Sequence, residues 1–254
     1  MRMSNIHILE GAISILACLA AGQRPIYRIY LQKRKTTPAF AQIERAALRL
    51  AVPLEAVDEA VIAAHASGRS HGGAVALVGD RRYQPLETLG QQAATPFIVL
   101  LDGVEDPFNF GQAVRALYAA GANGLVMRPH AWPGAEGIIA RASAGATEQI
   151  ATAVVEQVAQ AVDHFQRRGL AVACTAASGS AVPLYEADLR QPLFLVIGGE
   201  RRGIARSILR QADLVLRIPY GGYFTGSLGA TSAAAVLAFE VMRQRRYQRR
   251  SASV

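Results

Sequence analysis

The chain has little cysteine: Cys18 and Cys174 are the only two in 254 residues. They lie far apart, with no C-x-x-C pair and no histidine at metal-ligand spacing. Neither a disulfide scaffold nor a metal site is therefore expected, and a reduced cytoplasmic setting is the natural one. Membrane-length apolar runs are missing too. Gly11–Ala21 imitates a signal-peptide core, but His7 and Glu10 stand just before it and it falls far short of a bilayer span. It reads as an amphipathic helix with Leu9, Ile13, Leu16 and Ala20 on one face, and no membrane partner is expected. Internal repeats and long low-complexity tracts are also absent.

What is present is apolar content and positive charge. Hydrophobic residues make up 51% of the chain, enough for a substantial core. The net charge of +8 favours a polyanionic partner, because each Lys or Arg near a phosphate releases a condensed counterion. Five of the eight residues from Arg243 to Arg250 are arginine, with Tyr247 among them. This run reads either as a polyanion contact with a stacking surface or as a solvated helix end.

Apolar periodicity divides the chain into a small α/β domain over residues 1–86, a linker over 87–96 and a larger domain over 97–248. The first holds the helix just described, a strand at Ile26–Leu31, a helix at Pro38–Leu50 and a strand near Val75–Val78. Between Tyr83 and Pro96 the period is lost and Pro85, Gly90 and Pro96 appear, as in a connecting segment. Beyond it, strands at Phe97–Leu101, Gly124–Met127, Ala171–Thr175 and Pro192–Ile197 alternate with helices at Gly111–Ala120, Val154–Arg168 and Gly229–Arg246. Near-continuous apolar strands separated by helices predict a mainly parallel sheet covered on both faces.

Three clusters sit at or just beyond strand ends, where loops of an open α/β sheet gather to bind ligands. The first runs from Asp102 to Gly111 and is followed by Arg115. Asn109 suits a helix N-cap. Arg115, set among Val114, Ala116 and Leu117, must reach solvent or meet an anion such as phosphate. The second, Gly198-Gly199-Glu200-Arg201-Arg202-Gly203, follows a buried strand. It matches neither G-x-G-x-x-G nor a P-loop, so a dinucleotide-dependent oxidoreductase loses its motif support. The third, Ile218 to Ser232, has four glycines opening into an Ala-rich helix. That gives backbone donors and little bulk near a ligand.

In order and spacing these clusters resemble motifs one, two and three of the SpoU/TrmH branch of the SPOUT methyltransferases. Asp106, Pro107, Asn109, Gly111 and Arg115 match D-P-x-N-x-G-x-x-x-R. Gly198, Glu200 and Gly203 match G-x-E-x-x-G, and Ile218, Pro219, Ser227 and Leu228 match I-P followed by S-L-N. The resemblance implies a trefoil-knotted α/β methyltransferase domain preceded by a small α/β RNA-binding domain. It also implies homodimers with composite sites, S-adenosyl-L-methionine as cofactor, and methyl transfer to a ribose 2′-hydroxyl of tRNA or rRNA. By carry-over, Gly198, Gly199, Ile218, Leu228 and Gly229 take cofactor-binding positions, while Asn109, Arg115, Glu200 and Ser227 take catalytic or RNA-facing ones.

One departure stands out: Gly229 replaces the family's Asn after Ser-Leu. Either a nearby group such as Thr231 substitutes for the missing amide, or the chain is a non-catalytic RNA-binding paralogue that retains the cofactor pocket. A ribose hydroxyl is a poor nucleophile until its proton leaves or its developing charge is stabilised. A guanidinium holds its proton too tightly to serve as an ordinary base, so the expected role of Arg115 is to contact phosphate or stabilise the forming alkoxide.

Overall fold

The computed structural model describes residues 5–66, 71–130, 132, 134–177, 180–199 and 201–251, with side chains as far as residue 246. It divides into two compact units: residues 1–82 with 131–149, and residues 83–130 with 150–254. Residues 131–149, read from sequence as part of the larger domain, thus pack with the first unit.

In the first unit, strands β1 (His7–Glu10), β2 (Ile26–Gln32), β3 (Leu54–Val57) and β4 (Ala74–Val78) form a sheet of order β1-β4-β2-β3. Strand β4 is antiparallel to both neighbours, and β2 and β3 are parallel. Helix α1 (Ala12–Ala21) and helix α2 (Pro38–Arg49) contribute to one core. Thr37 caps α2 by accepting the Phe40 N–H at 3.1 Å, Pro38 sits in the first turn, and Phe40, Ile43 and Ala47 are buried one or two turns apart. A short helix α3 (Glu59–His65) follows β3, and His65 stacks on Tyr30 of β2.

The buried side of α1 is not the one that spacing suggested. Ile15, Cys18 and Leu19 are buried, Ile13 and Ala20 are exposed, and Leu9 belongs to β1. Nine of its ten residues are apolar (AISILACLAA), so periodicity cannot choose a face, and the packing does. The segment 131–149 supplies that packing through helices α5 (Glu136–Ala142) and α6 (Ala146–Gln149). Ala140 enters the first core, and Gly145 approaches α1 so closely that a Cβ there would lie 2.5 Å from the Ala17 methyl.

A buried ion-pair network fastens the same segment. The Arg24 side chain, 1% exposed, donates to Glu136 at 2.8 Å and to Glu148 at 3.0 Å. A second Arg24–Glu148 contact, Nε to Oε2 at 3.0 Å, is an ion pair without hydrogen-bond alignment. Burial would lower the Arg24 pKa, but Glu148 and Glu136 outweigh it and raise the value. Nearby Cys18 is pushed up to about 12 by its burial and by Glu148, which keeps it a thiol.

In the second unit, seven parallel strands lie in the order β7-β6-β5-β10-β8-β11-β9. They are β5 (Phe97–Asp102), β6 (Gly124–Met127), β7 (Thr152–Val154), β8 (Ala171–Thr175), β9 (Val182–Pro183), β10 (Leu193–Gly198) and β11 (Leu214–Arg217). Strands β5, β6 and β10 are buried on both faces, which explains their unbroken apolar runs. Helices α4 (Pro107–Ala119), α7 (Val158–Arg167), α8 (Arg206–Leu209) and α9 (Ala230–Ser251) complete the unit. Helix α7 turns Val158, Ala161, Val162 and Phe165 into the core, where Phe165 meets Phe194 at 4.5 Å between ring centroids. Strands β7 and β9, of three and two residues, are too short to show a period, and β11 also escapes the sequence reading.

Part of the C-terminal arginine run is structural. Arg243 grips Glu240 through two contacts of 2.7 Å. Arg245 donates to the carbonyls of Thr95 (2.9 Å), Pro96 (3.2 Å) and Gln191 (2.7 Å) and lies over the Phe97 ring. The first pair lies within α9, and Arg245 is the guanidinium that ties the helix to the segments leading into β5 and β10; Tyr247, Arg249 and Arg250 lie outside the described side chains.

Candidate functional site

The strand order of the second unit reverses between β5 and β10, whose neighbouring carboxyl ends carry the first two clusters. Such a switch point makes adjacent loops diverge and opens a crevice. Beyond the ends of β8, β10 and β11 lies a cleft of about 480 Å³. Its lining includes Thr175–Ala177 from β8, Ile197–Gly199 and Gly203 from β10 and its loop, Leu216–Ile218 from β11, and Ala230, Ala233 and Leu237 from α9.

The glycines of the second cluster work through close backbone approach. Gly199 donates its N–H to the Asp102 carbonyl at 2.5 Å, so the loops after β5 and β10 touch. A Cβ on Gly199 would fall 2.0 Å from the Gly103 oxygen. Gly198 donates to the Thr175 hydroxyl at 3.3 Å, and a Cβ there would meet the Gly203 backbone at 2.9 Å. Gly203 takes φ +58° and donates to the Gly199 carbonyl at 3.1 Å, closing the turn.

The third cluster folds back on itself. The Tyr220 hydroxyl accepts the Leu228 N–H at 3.1 Å, and the Phe224 ring meets Tyr220 edge-on at 5.4 Å. Tyr220, Phe224, Thr225, Gly226, Ser227 and Leu228 all line the cleft. The amides of Gly198, Gly199 and Leu228 are thus committed within the protein. Contact from these residues to a ligand must use carbonyls, Cα surface or side chains.

Of the positions inferred from sequence, Gly198, Gly199, Ile218, Ser227 and Leu228 share the cleft, and Gly229 lies between two lining residues. Glu200 lies outside the described residues. Asn109 is not the helix cap: α4 starts at Pro107, and the Asp106 carboxylate accepts the Asn109 N–H at 2.7 Å. Exposed Asn109 reaches the cleft's border through its carbonyl, which accepts the Thr231 hydroxyl at 3.2 Å. Thr231, considered as a stand-in for the missing amide, therefore joins the start of α9 to the start of α4. Arg115 is exposed farther along α4 and does not line the cleft. The Thr175–Ala177 wall went unnoticed in the sequence because its loop carries no glycine cluster, although it follows a legible strand.

Charge gathers beside motif one. Arg128 approaches Asp102 at 3.8 Å, and Arg201 donates to Glu105 at 3.2 Å. Half-buried His130 meets Phe110 edge-on; desolvation, then Arg128, lowers its pKa, keeping the imidazole neutral at pH 7. Among the described residues no cluster of His, Cys, Asp or Glu could hold a metal, and no helix is long and apolar enough to cross a membrane.

The cleft's volume lies within the ~300–1,000 Å³ typical of small-molecule sites. Its lining combines apolar Ile197, Leu216, Ile218 and Leu237 with polar Thr225, Ser227 and Arg217, the mixed composition of a small-molecule site. Comparison with known proteins agrees. Residues 96–239 match the SpoU rRNA methylase family, and residues 8–84 match the RNA 2′-O ribose methyltransferase substrate-binding family. The chain is 31% identical over 226 residues to a putative TrmH family tRNA/rRNA methyltransferase, YacO, of Bacillus subtilis, covering 87% of this chain and 90% of that one. It is 28% identical over 247 residues to the 23S rRNA (guanosine-2′-O-)-methyltransferase RlmB of Shewanella oneidensis, covering 96% and 100%. In fold it matches the SpoU methyltransferase AviRb of Streptomyces viridochromogenes in complex with AdoMet, with TM-score 0.78, 22% identity and coverage of 95% and 91%. The sheet, the ordered motif loops and these matches converge: the chain belongs to the SpoU rRNA methylase family.

Proposed function

We propose that this protein transfers a methyl group from S-adenosyl-L-methionine to a ribose 2′-hydroxyl of RNA, with ribosomal RNA as the substrate. The observation that carries this reading is the cleft at the carboxyl ends of β8, β10 and β11, walled by the second and third motif loops. Relatives named for 23S rRNA, aligned over nearly the whole chain, support the ribosomal substrate. The bound cofactor would supply a sulfonium-activated methyl group.

The chain's own residues then hold and align. Glycines at 198, 199 and 203 let the loop close against its neighbour, while Ile218, Leu228 and Leu237 offer apolar surface. Tyr220 fixes the Leu228 amide, and Thr231 holds motif three beside motif one. Ser227 in the cleft and Asn109 at its border orient the acceptor ribose, with Glu200 of motif two assisting. Arg115 serves by neutralising a phosphate or the developing alkoxide, which an always-charged planar fork does well. Outer side chains of the packed helices α4 and α9, including Phe108, Tyr118 and Phe239, leave aromatic surface exposed. This exposed surface supports a homodimer, to which a knotted C-terminal segment and Arg115 of α4 would contribute; sedimentation at twice the monomer mass is expected.

Incubation with methyl-labelled cofactor and ribosomal RNA is expected to yield a 2′-O-methylated nucleoside on digestion. Donor binding without transfer to any cellular RNA would favour the non-catalytic paralogue. Ala233→Phe, which places a ring into the cleft from a half-buried position, is expected to weaken donor binding at least about tenfold in calorimetry, a change of ~1.4 kcal/mol. Arg115→Lys is expected to slow transfer about 10²-fold while donor binding persists, since an ammonium cannot reproduce the fork. Full activity of that variant would remove Arg115 from the chemistry.

A further inference from the structure

The loop between β11 and α9 holds three aromatic residues in different situations. Tyr220 and Phe224 line the cleft and are held by each other and by the Leu228 amide. Between them Phe224 donates its N–H to the Gly222 carbonyl at 2.9 Å, a tight turn with Tyr223 at its tip. Tyr223 is 111% exposed relative to an extended reference and does not line the cleft. Nothing in the turn needs an aromatic ring there, and the ring buries nothing in the fold.

We propose that Tyr223 is a stacking platform for an unpaired RNA base, that of the nucleotide whose ribose enters the cleft. The inference rests on the ribose-methylation reading. A regular A-form helix displays its 2′-hydroxyls on a shallow minor groove, whereas a ribose that enters a concave cleft is best presented by an unpaired or extruded nucleotide. An extruded base loses its stacking neighbours, and an aromatic ring at the cleft mouth replaces one of them whatever the base identity. The charge around the mouth suits the adjoining backbone. Arg202 is exposed beside cleft-lining Gly203, Arg217 lies in the wall, and the net charge is +8. Exposed rings beside arginines are the usual composition of single-strand nucleic-acid surfaces.

The test uses the full chain and a short single-stranded RNA carrying 2-aminopurine, whose fluorescence is quenched on stacking. The parent protein is expected to quench it, and to leave the same strand unaffected when it is paired to its complement. Tyr223→Ala is expected to abolish quenching and weaken RNA affinity about tenfold, whereas Tyr223→Phe and Tyr223→Trp retain both. Donor affinity by calorimetry stays equal in all four proteins, which separates stacking from damage to the cleft. Quenching by Tyr223→Ala equal to the parent's, or absent from the parent, overturns the proposal. So does a shift of Tyr223→Ala to a smaller species in sedimentation, which would assign the ring to contact between copies. Quenching that depends on Tyr223 in a protein that methylates no cellular RNA would overturn the enzymatic reading and leave the stacking role standing.

Discussion

Replacing Gly199 by alanine is expected to abolish donor binding and destabilise the second unit. The new methyl would sit 2.0 Å from the Gly103 oxygen, 2.5 Å from its carbonyl carbon and 3.1 Å from the Asp102 oxygen. All three are backbone atoms, so no rotamer change relieves the overlap. Gly103 already holds φ +78°, and moving its loop away breaks the Gly199 N–H to Asp102 hydrogen bond that joins the ends of β10 and β5. Overpacking of this kind costs about 2–3 kcal/mol. For a unit of this size that lowers the melting temperature by roughly 5–10 °C. The cleft wall moves with the loop, because Gly198 and Gly199 both line it. Gly221→Ala is the matched control: a Cβ there meets nothing within 4 Å. Differential scanning calorimetry with a donor titration distinguishes the two, and parental stability and binding in Gly199→Ala would show that the loops do not meet this closely.

The second large effect is expected in the first unit. Arg24→Ala leaves Glu148, 3% exposed, as a buried carboxylate without its cation. Breaking a buried pair from one side costs about 3–5 kcal/mol, much more than the pair's net contribution. Replacing both partners, as Arg24→Met with Glu148→Leu, is expected to restore most of the loss. Urea denaturation of the three proteins reads this directly, and parental stability of Arg24→Ala would contradict it.

Much of the second unit is legible from sequence because its central strands are buried on both faces. Runs such as Phe97–Leu101 and Leu193–Ile197 need no partner to declare themselves. The Arg-rich tail shows the opposite case. Composition suggested a polyanion contact or a solvated helix end, yet Arg245 directs its donors to the carbonyls of Thr95, Pro96, Leu189 and Gln191, a use that only the approach of distant segments creates. The cap of α4 was misassigned to Asn109 because Asp106 and Asn109 both suit that role, and the backbone alone decides where the first turn begins.

By itself, then, the sequence determined the alternating α/β class, the positive charge, the order of three glycine-bearing clusters and five residues of the cleft. Those properties are local: each residue reports its own burial and its own conformational freedom. The tertiary structure decided that residues 131–149 complete the first unit, that Thr231 meets Asn109 across 122 positions, that Gly199 touches Gly103, and that β8 supplies a wall of the cleft. Such contacts depend on which strand lies beside which, and periodicity along one segment is silent about its neighbours in space.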